Sequence, residues 1–244
     1  MYRKYVPFLL FLFFLYGCNG NKQEEKEDVS VFVDLPQLKA EGEITAVTLY
    51  SSTSYFQYKM QPMGYEYDLI NDFAKSQGLK LNIKVAENPA RLIEMLEAGE
   101  ADVVAYPIPI NNKLKQEVIY CGREDISSQV LIQRANKGDK LLTDVTQLID
   151  KNVYVKPNTK YSERLKNLDE ELGGGIHIQK VENDSIATED LIEMVSLGEI
   201  PYTISDDNTA RLNKTYYWNI NVDLKVSFPQ RSSWVVRKSS PDLA

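Results

Sequence analysis

Histidine is nearly missing from this chain: His177 is the only one in 244 residues. Any Ser-His-Asp or Cys-His arrangement would have to use it. It lies between Ile176 and Ile178 in a short β-rich run, where alternation points it outward. Cysteine is almost as scarce, with Cys18 and Cys121 alone, so no Cys/His cluster has metal-ligand spacing and neither a metal nor another cofactor is expected. Cys121 reads as a small core residue. No apolar run reaches the roughly twenty residues of a membrane-spanning helix. Positive charge is also in deficit: the formal net charge is −7, which argues against nucleic acid as a partner. Carboxylates are plentiful, yet glycoside cleavage needs two of them set across a cleft, and Glu94 and Glu193 read as exposed helix residues. No catalytic residue is assigned.

What is present begins at the N-terminus. Arg3 and Lys4, an apolar run from Val6 to Tyr16, then Gly17 and Cys18 have the layout of a secretory signal. The segment Leu15-Tyr16-Gly17-Cys18 resembles a bacterial lipobox. That resemblance implies a signal peptide at 1–17, acyl chains on Cys18 and attachment to a membrane through them, stable when two or more chains are present. Losing Arg3 and Lys4 would leave a charge of −9. Asn19 follows the Cys in place of the Asp that would resemble an inner-membrane retention signal, which points to the periplasmic face of the outer membrane. Residues 18–33 form a tether, polar and charged over Asn19 to Asp28, and folding starts near Asp34 to Glu43.

From there strand and helix patterns alternate, the signature of α/β layers. Ile44 to Leu49 is β-rich and runs into the polar, aromatic stretch Tyr50 to Phe56. Tyr65, Leu69, Phe73 and Ala74 recur at helical spacing before Gly78; Leu81, Ile83 and Val85 alternate as a strand; Pro89 opens a helix with Leu92, Ile93 and Leu96 inward. One passage is written twice. Leu92-Ile93-Glu94-Met95, Gly99-Glu100 and a strand return as Leu191-Ile192-Glu193-Met194, Gly198-Glu199 and the strand Tyr202 to Ile204. The repeat predicts two lobes of similar build, lobe one over 43–133 plus 222–244 and lobe two over 134–221. Ligand crevices in open α/β sheets lie beyond the carboxyl ends of the strands, so the loops after Ala105 and Ile204 should face each other. The strands Leu224 to Phe228 and Ser233 to Arg237 are expected to return to lobe one. Two crossings of this kind make a hinge.

The order of segments resembles the solute-binding protein family 3, the periplasmic amino-acid-binding fold of type II. Gly64-Tyr65-Glu66-Tyr67-Asp68-Leu69 is similar to that family's G-[FY]-x-x-D-L helix start, and Leu96 to Asp102 to its L-x-x-G-x-x-D turn. Pro201 to Asp206, Leu212 to Tyr217 and Ser233 to Leu243 resemble the binding domain that precedes the lysozyme-like domain in the membrane-bound lytic murein transglycosylases. The resemblance implies a ligand-sensing domain for a cell-wall peptide or muropeptide, partnered by a C-terminal catalytic domain of its own. The alternative is a free-standing lipoprotein receptor of an ABC transporter for a small solute. Candidate ligand residues are Tyr50, Ser52 and Tyr55 after the first strand, Tyr106, Pro107 and Asn111 after the strand of the first lobe, Asn158, Thr159 and Lys160 in the second lobe's anion-receiving loop, and Asp206, which matches the acid that meets a ligand's amino group. Asp206 also reads as a helix N-cap. One departure stands out: the family's T-x-x-R loop, whose Arg clamps a carboxylate bidentately, is here Asn111-Asn112-Lys113-Leu114. A free amino acid is therefore a poor candidate ligand.

Ser239-Ser240-Pro241-Asp242-Leu243 reads as the start of a helix, with an N-cap, Pro at the first position and an acidic first turn. The expectation is that the natural protein continues past Ala244.

Overall fold

A computed structural model describes residues 33–183 and 186–244. The signal, Cys18 and the tether over 19–28 lie outside the described residues. Helix α1 (Leu35–Glu41) starts on Asp34, whose carboxylate accepts the Leu35 N–H at 2.8 Å. Strand β1 (Glu43–Leu49) leads through a loop to the short hairpin β2 (Phe56–Tyr58) and β3 (Gln61–Met63), then to α2 (Tyr65–Gln77) and β4 (Lys80–Ala86). Next come α3 (Pro89–Glu97), β5 (Val103–Pro109) and β6 (Val118–Ser127). The chain continues through β7 (Gln129–Arg134), β8 (Asn152–Val155), α4 (Lys160–Glu171), β9 (His177–Lys180), α5 (Thr188–Leu197), β10 (Tyr202–Asp206), α6 (Asp207–Lys214) and β11 (Ile220–Asn221), and closes with β12 (Gln230–Arg237).

Two five-stranded sheets result, ordered β4-β1-β5-β12-β6 and β11-β7-β10-β8-β9. Each is covered on both faces. In the first lobe Ile70 and Ala74 of α2 pack with Leu38 of α1 on one face, while Leu92 and Leu96 of α3 pack with Val104 and Val235 on the other. In the second, Leu165 and Leu168 of α4 lie on one face and Leu191, Ile192 and Val195 of α5 on the other. Each fully buried Leu or Ile contributes about 1.5–3 kcal/mol. The duplicated passage explains the similar build: a glycine of positive φ closes α5 at its C-cap (Gly198, 81°) and follows the Ala98 C-cap of α3 (Gly99, 72°), and each helix feeds the central strand of its sheet.

The lobe boundaries differ from the sequence expectation. Gln129–Arg134 pairs with β10 across Tyr202 to Asp206 and so belongs to the second sheet, which moves the first crossing from Gln133/Arg134 to Ser128. Leu224 and Val226 pack in the core of the second lobe, and only β12 returns to the first sheet, so the second crossing is 227–229. The first lobe also begins earlier than Glu43, because Leu38 of α1 is buried in its core. The apolar pattern alone could not separate these alternatives: Val130, Leu131 and Ile132 are buried whichever sheet receives them. The two crossings are bonded together, with Gln129 N–H donating to Ser227 Oγ and Val226 N–H donating to Gln129 O, both at 2.8 Å.

The last residues form a turn rather than a regular helix. Asp34 accepts the Asp242 N–H at 3.0 Å and the Leu243 N–H at 2.9 Å, and Ser240 Oγ donates to Val33 O at 2.6 Å. Among the described residues no helix is long and apolar enough to cross a membrane.

Candidate ligand-binding cleft

The first wall of the cleft is made by a loop meeting a helix end. The backbone N–H groups of a first helical turn have no partner within the helix, and at α2 the N-cap is Gly64, with no side chain to supply one. Carbonyls of the preceding loop serve instead: Thr53 O accepts from Tyr65 N at 2.8 Å, and Ser54 O from Tyr67 N at 3.1 Å. Gly64 has φ 135°, and a Cβ there would lie 2.3 Å from Ser54 O. Only glycine allows this approach. It brings Thr53, Tyr65 and Glu66 together beside Pro107 and Pro109 at the carboxyl end of β5.

The facing wall comes from the second lobe. Asn158 adopts the left-handed conformation expected of it, with φ 57°. Thr159 then caps α4, its Oγ1 accepting the Ser162 N–H at 3.3 Å. Lys160, at the first position of α4, meets Asp206 at the end of β10. Asp206 precedes α6 but does not cap it with its side chain. Its Oδ2 instead takes Lys160 Nζ at 2.5 Å and the Tyr161 hydroxyl at 3.1 Å.

Between the walls lies a cavity of about 320 Å³, lined from the first lobe by Thr53, Tyr65, Glu66, Pro107 and Pro109, from the second by Lys160, Asp206, Asn208 and Thr209, and along the crossing strands by Arg123, Asp125, Ser127 and Gln230 to Ser232. The expectation that the loops after Ala105 and Ile204 share one crevice is met. Its charges are mutually compensated: Arg123 pairs with Asp125 at 3.7 Å and donates to Tyr65 Oη at 2.9 Å, and Arg231 grips Glu124 with Nε and Nη2 at 2.7 and 2.5 Å. Glu66 is buried and accepts the Trp234 indole N–H at 2.6 Å. Burial pushes its carboxyl up to about 7, with Asp125 adding to the shift and Trp234 and Arg123 opposing it. Tyr106 and Tyr161 have phenols raised first by burial and then by the nearby Asp206 carboxylate. A second cavity of about 330 Å³ adjoins under α2, sharing Tyr65, Glu66, Pro107, Arg123 and Asp125, with a floor of Leu69, Ile70, Phe73, Cys121 and Trp234. Cys121 is thus half-buried at a cavity wall rather than enclosed in the core.

The structure brings together Pro107, Lys160 and Asp206 from the residues singled out in the sequence, with Asn158 and Thr159 shaping the loop that carries Lys160. Ser52 reaches across to the second lobe, its N–H and Oγ donating to Glu189 Oε1 at 3.1 and 2.8 Å. Tyr106 packs against the first-lobe core. Tyr50, Tyr55 and Asn111 do not line the cavity. Tyr50 is exposed; Tyr55 is buried and stacks edge-on against Tyr67 with ring centroids 5.8 Å apart; Asn111 accepts the Leu114 N–H at 2.8 Å and caps the turn that follows. Leu114 itself packs against the first-lobe core. Glu66, Arg123, Asp125 and Arg231 were missed by sequence reasoning; for Glu66 the available signal was its place in the Gly64-Tyr65-Glu66 helix start.

The model of the bacterial extracellular solute-binding proteins, family 3, matches residues 44–244. A membrane-bound lytic murein transglycosylase F from Desulfosudis oleivorans is 31% identical over 211 residues, covering 85% of this chain and 44% of the relative. Another of that name from Pseudomonas fluorescens is 28% identical over 204 residues, covering 83% and 41%. The chain therefore spans less than half the length of these relatives. Among solved structures, the arginine-bound form of truncated ArgBP from T. maritima superposes with a TM-score of 0.72 at 20% identity, covering 85% of this chain and 94% of that one. An ancestral amino acid-binding protein, described as a precursor of cyclohexadienyl dehydratase, does so at 0.70 and 21%, covering 86% and 87%. These likenesses establish a two-lobed periplasmic binding fold. The chain belongs to the bacterial extracellular solute-binding proteins, family 3.

Proposed function

We propose that this chain is the ligand-sensing part of a membrane-bound lytic murein transglycosylase, binding a cell-wall peptide or muropeptide in the cleft between its lobes. The observation that carries the reading is the turn at Asn111 to Leu114. Where a free amino acid would need a bidentate guanidinium for its carboxylate, Asn111 is committed to capping and Leu114 is turned into the core. The similarity to relatives named as lytic murein transglycosylases supplies the cell-wall context. In this reading acyl chains on Cys18 hold the protein at the cell envelope, on the periplasmic face of the outer membrane, and a catalytic domain of the parent protein cleaves the glycan. Ligand occupancy would act through lobe closure about Ser128 and 227–229.

A thermal-shift screen of the intact chain tests this. Soluble muropeptides and stem peptides should stabilise it by about 2.7 kcal/mol at a hundred times the dissociation constant, and free amino acids should not. Stabilisation by free amino acids alone would favour the ABC-transporter receptor instead.

A further inference from the structure

The second lobe contributes one carboxylate and one ammonium to the cavity wall, and each already holds the other. Lys160 and Asp206 come from different elements, α4 and β10, and their side chains are both only 20% exposed. Tyr161 fixes the same carboxylate oxygen from behind, so Asp206 Oδ2 is doubly engaged. The other ionic groups on the wall are also paired: Asp125 loosely with Arg123 at 3.7 Å, Arg231 with Glu124, and Glu66 with the Trp234 indole. A ligand ammonium at Asp206 therefore meets a carboxylate whose charge Lys160 already neutralises, and it would set a second cation beside the first among partly desolvated groups, which is costly. A peptide amide meets no such obstacle. An ammonium has three donors and a carboxylate about four lone-pair sites, so the pair retains N–H groups on Lys160 and acceptor capacity on Asp206, side by side. A donor beside an acceptor matches the C=O and N–H of an amide.

We infer that Lys160 is a specificity-determining residue, a built-in counter-ion that closes Asp206 to free amino groups and leaves the cleft selective for amide-rich ligands with a blocked amino terminus. The inference deepens the peptide reading, since the stem peptide of a muropeptide is acylated at its amino terminus, but its decisive test does not depend on that reading.

The experiment is isothermal titration of the intact chain and of Lys160→Met, with three probes: L-arginine, a synthetic stem peptide with a free amino terminus, and its N-acetylated form. For the unaltered chain the N-acetylated peptide should bind at least about tenfold more tightly than the free one, and L-arginine should give no measurable heat. In Lys160→Met that preference should fall by about tenfold or more through tighter binding of the free-amino peptide, while L-arginine, still lacking a clamp for its carboxylate, should remain unbound. Adding Asp206→Asn should abolish the gained binding, which separates a freed carboxylate from a merely loosened cleft. Lys160→Gln gives the same readout should the Met variant fold poorly. The inference is overturned if the unaltered chain and the Lys160 variants discriminate the N-acetylated from the free-amino peptide equally, or if L-arginine binds the unaltered chain. If neither peptide binds the unaltered chain, the cell-wall reading fails, while a gain of free-amino peptide binding in the Lys160 variants still supports the role of Lys160 and its absence overturns it.

Discussion

Replacing Glu66 with Gln isolates one buried carboxyl whose titration is coupled to folding. Glu66 sits in the first turn of α2 with its side chain against Trp234, and burial moves its carboxyl from the ordinary 4.5 up to about 7. Between those values the folded protein retains a proton that the unfolded chain releases. Stability therefore declines as pH rises through this window and is level on either side of it. A shift of that size corresponds to about 3 kcal/mol at 1.36 kcal/mol per pKa unit. The amide that Glu66→Gln introduces has no proton to lose and still offers an oxygen to the indole N–H. Urea unfolding of both proteins from pH 4 to pH 8 should show the stability difference moving by about 3 kcal/mol in favour of Glu66→Gln, with the change confined to about pH 4.5–7. All other carboxyl groups titrate in both proteins and drop out of the difference. Parallel stability curves across this range would refute the reasoning.

Three further outcomes follow from the same geometry. Gly64→Ala should destabilise the fold by about 3 kcal/mol in denaturant melts, because it combines an unfavourable φ with a Cβ in contact with Ser54 O. Arg237→Met should cost about 3–5 kcal/mol, since it removes the 3.0 Å partner of the nearly buried Asp102, which also accepts the Thr45 N–H at 2.9 Å; Arg237→Lys should rescue it only partly, lacking the planar fork. Glu189→Ala removes the bond across the mouth of the cleft to Ser52. Being exposed, it should change stability by less than about 1 kcal/mol while broadening the inter-lobe distance distribution seen by small-angle scattering; an unchanged distribution would remove Ser52–Glu189 as a clasp.

The alternation of strands and helices was readable because most elements bury one face: Leu92 and Leu96, or Leu191 and Val195, recur at helical spacing and both sets are buried. The duplicated helix, glycine and strand then located the two central strands and the crevice at their ends. The assignment of β7 was not readable, because a run buried on both faces carries no sign of which sheet it joins. Val85 shows the opposite failure. Its alternation with Leu81 and Ile83 is real, but it lies on the edge strand β4 and is exposed. In the cleft, residues on loops next to recognisable helix starts could be found, as with Asn158 to Lys160. Arg123, Asp125 and Arg231 come together only through the pairing of β6 with β12, more than a hundred residues apart in sequence, and no local pattern announces that. Asp206 was legible as an acid at a strand end; its pairing with Lys160 was not, because it depends on how β8 and β10 adjoin in the second sheet.

Whether the inter-lobe cleft receives a cell-wall peptide is tested by amide hydrogen exchange of the intact chain with and without a soluble muropeptide. Peptide binding there should slow exchange at Thr53 to Glu66, at Lys160 and Tyr161, around Asp206 to Thr209, and at the crossings Ser128 and 227–229. Protection by L-arginine but not by the muropeptide, or protection confined to Leu69 to Phe73 and Cys121 under α2, would contradict it.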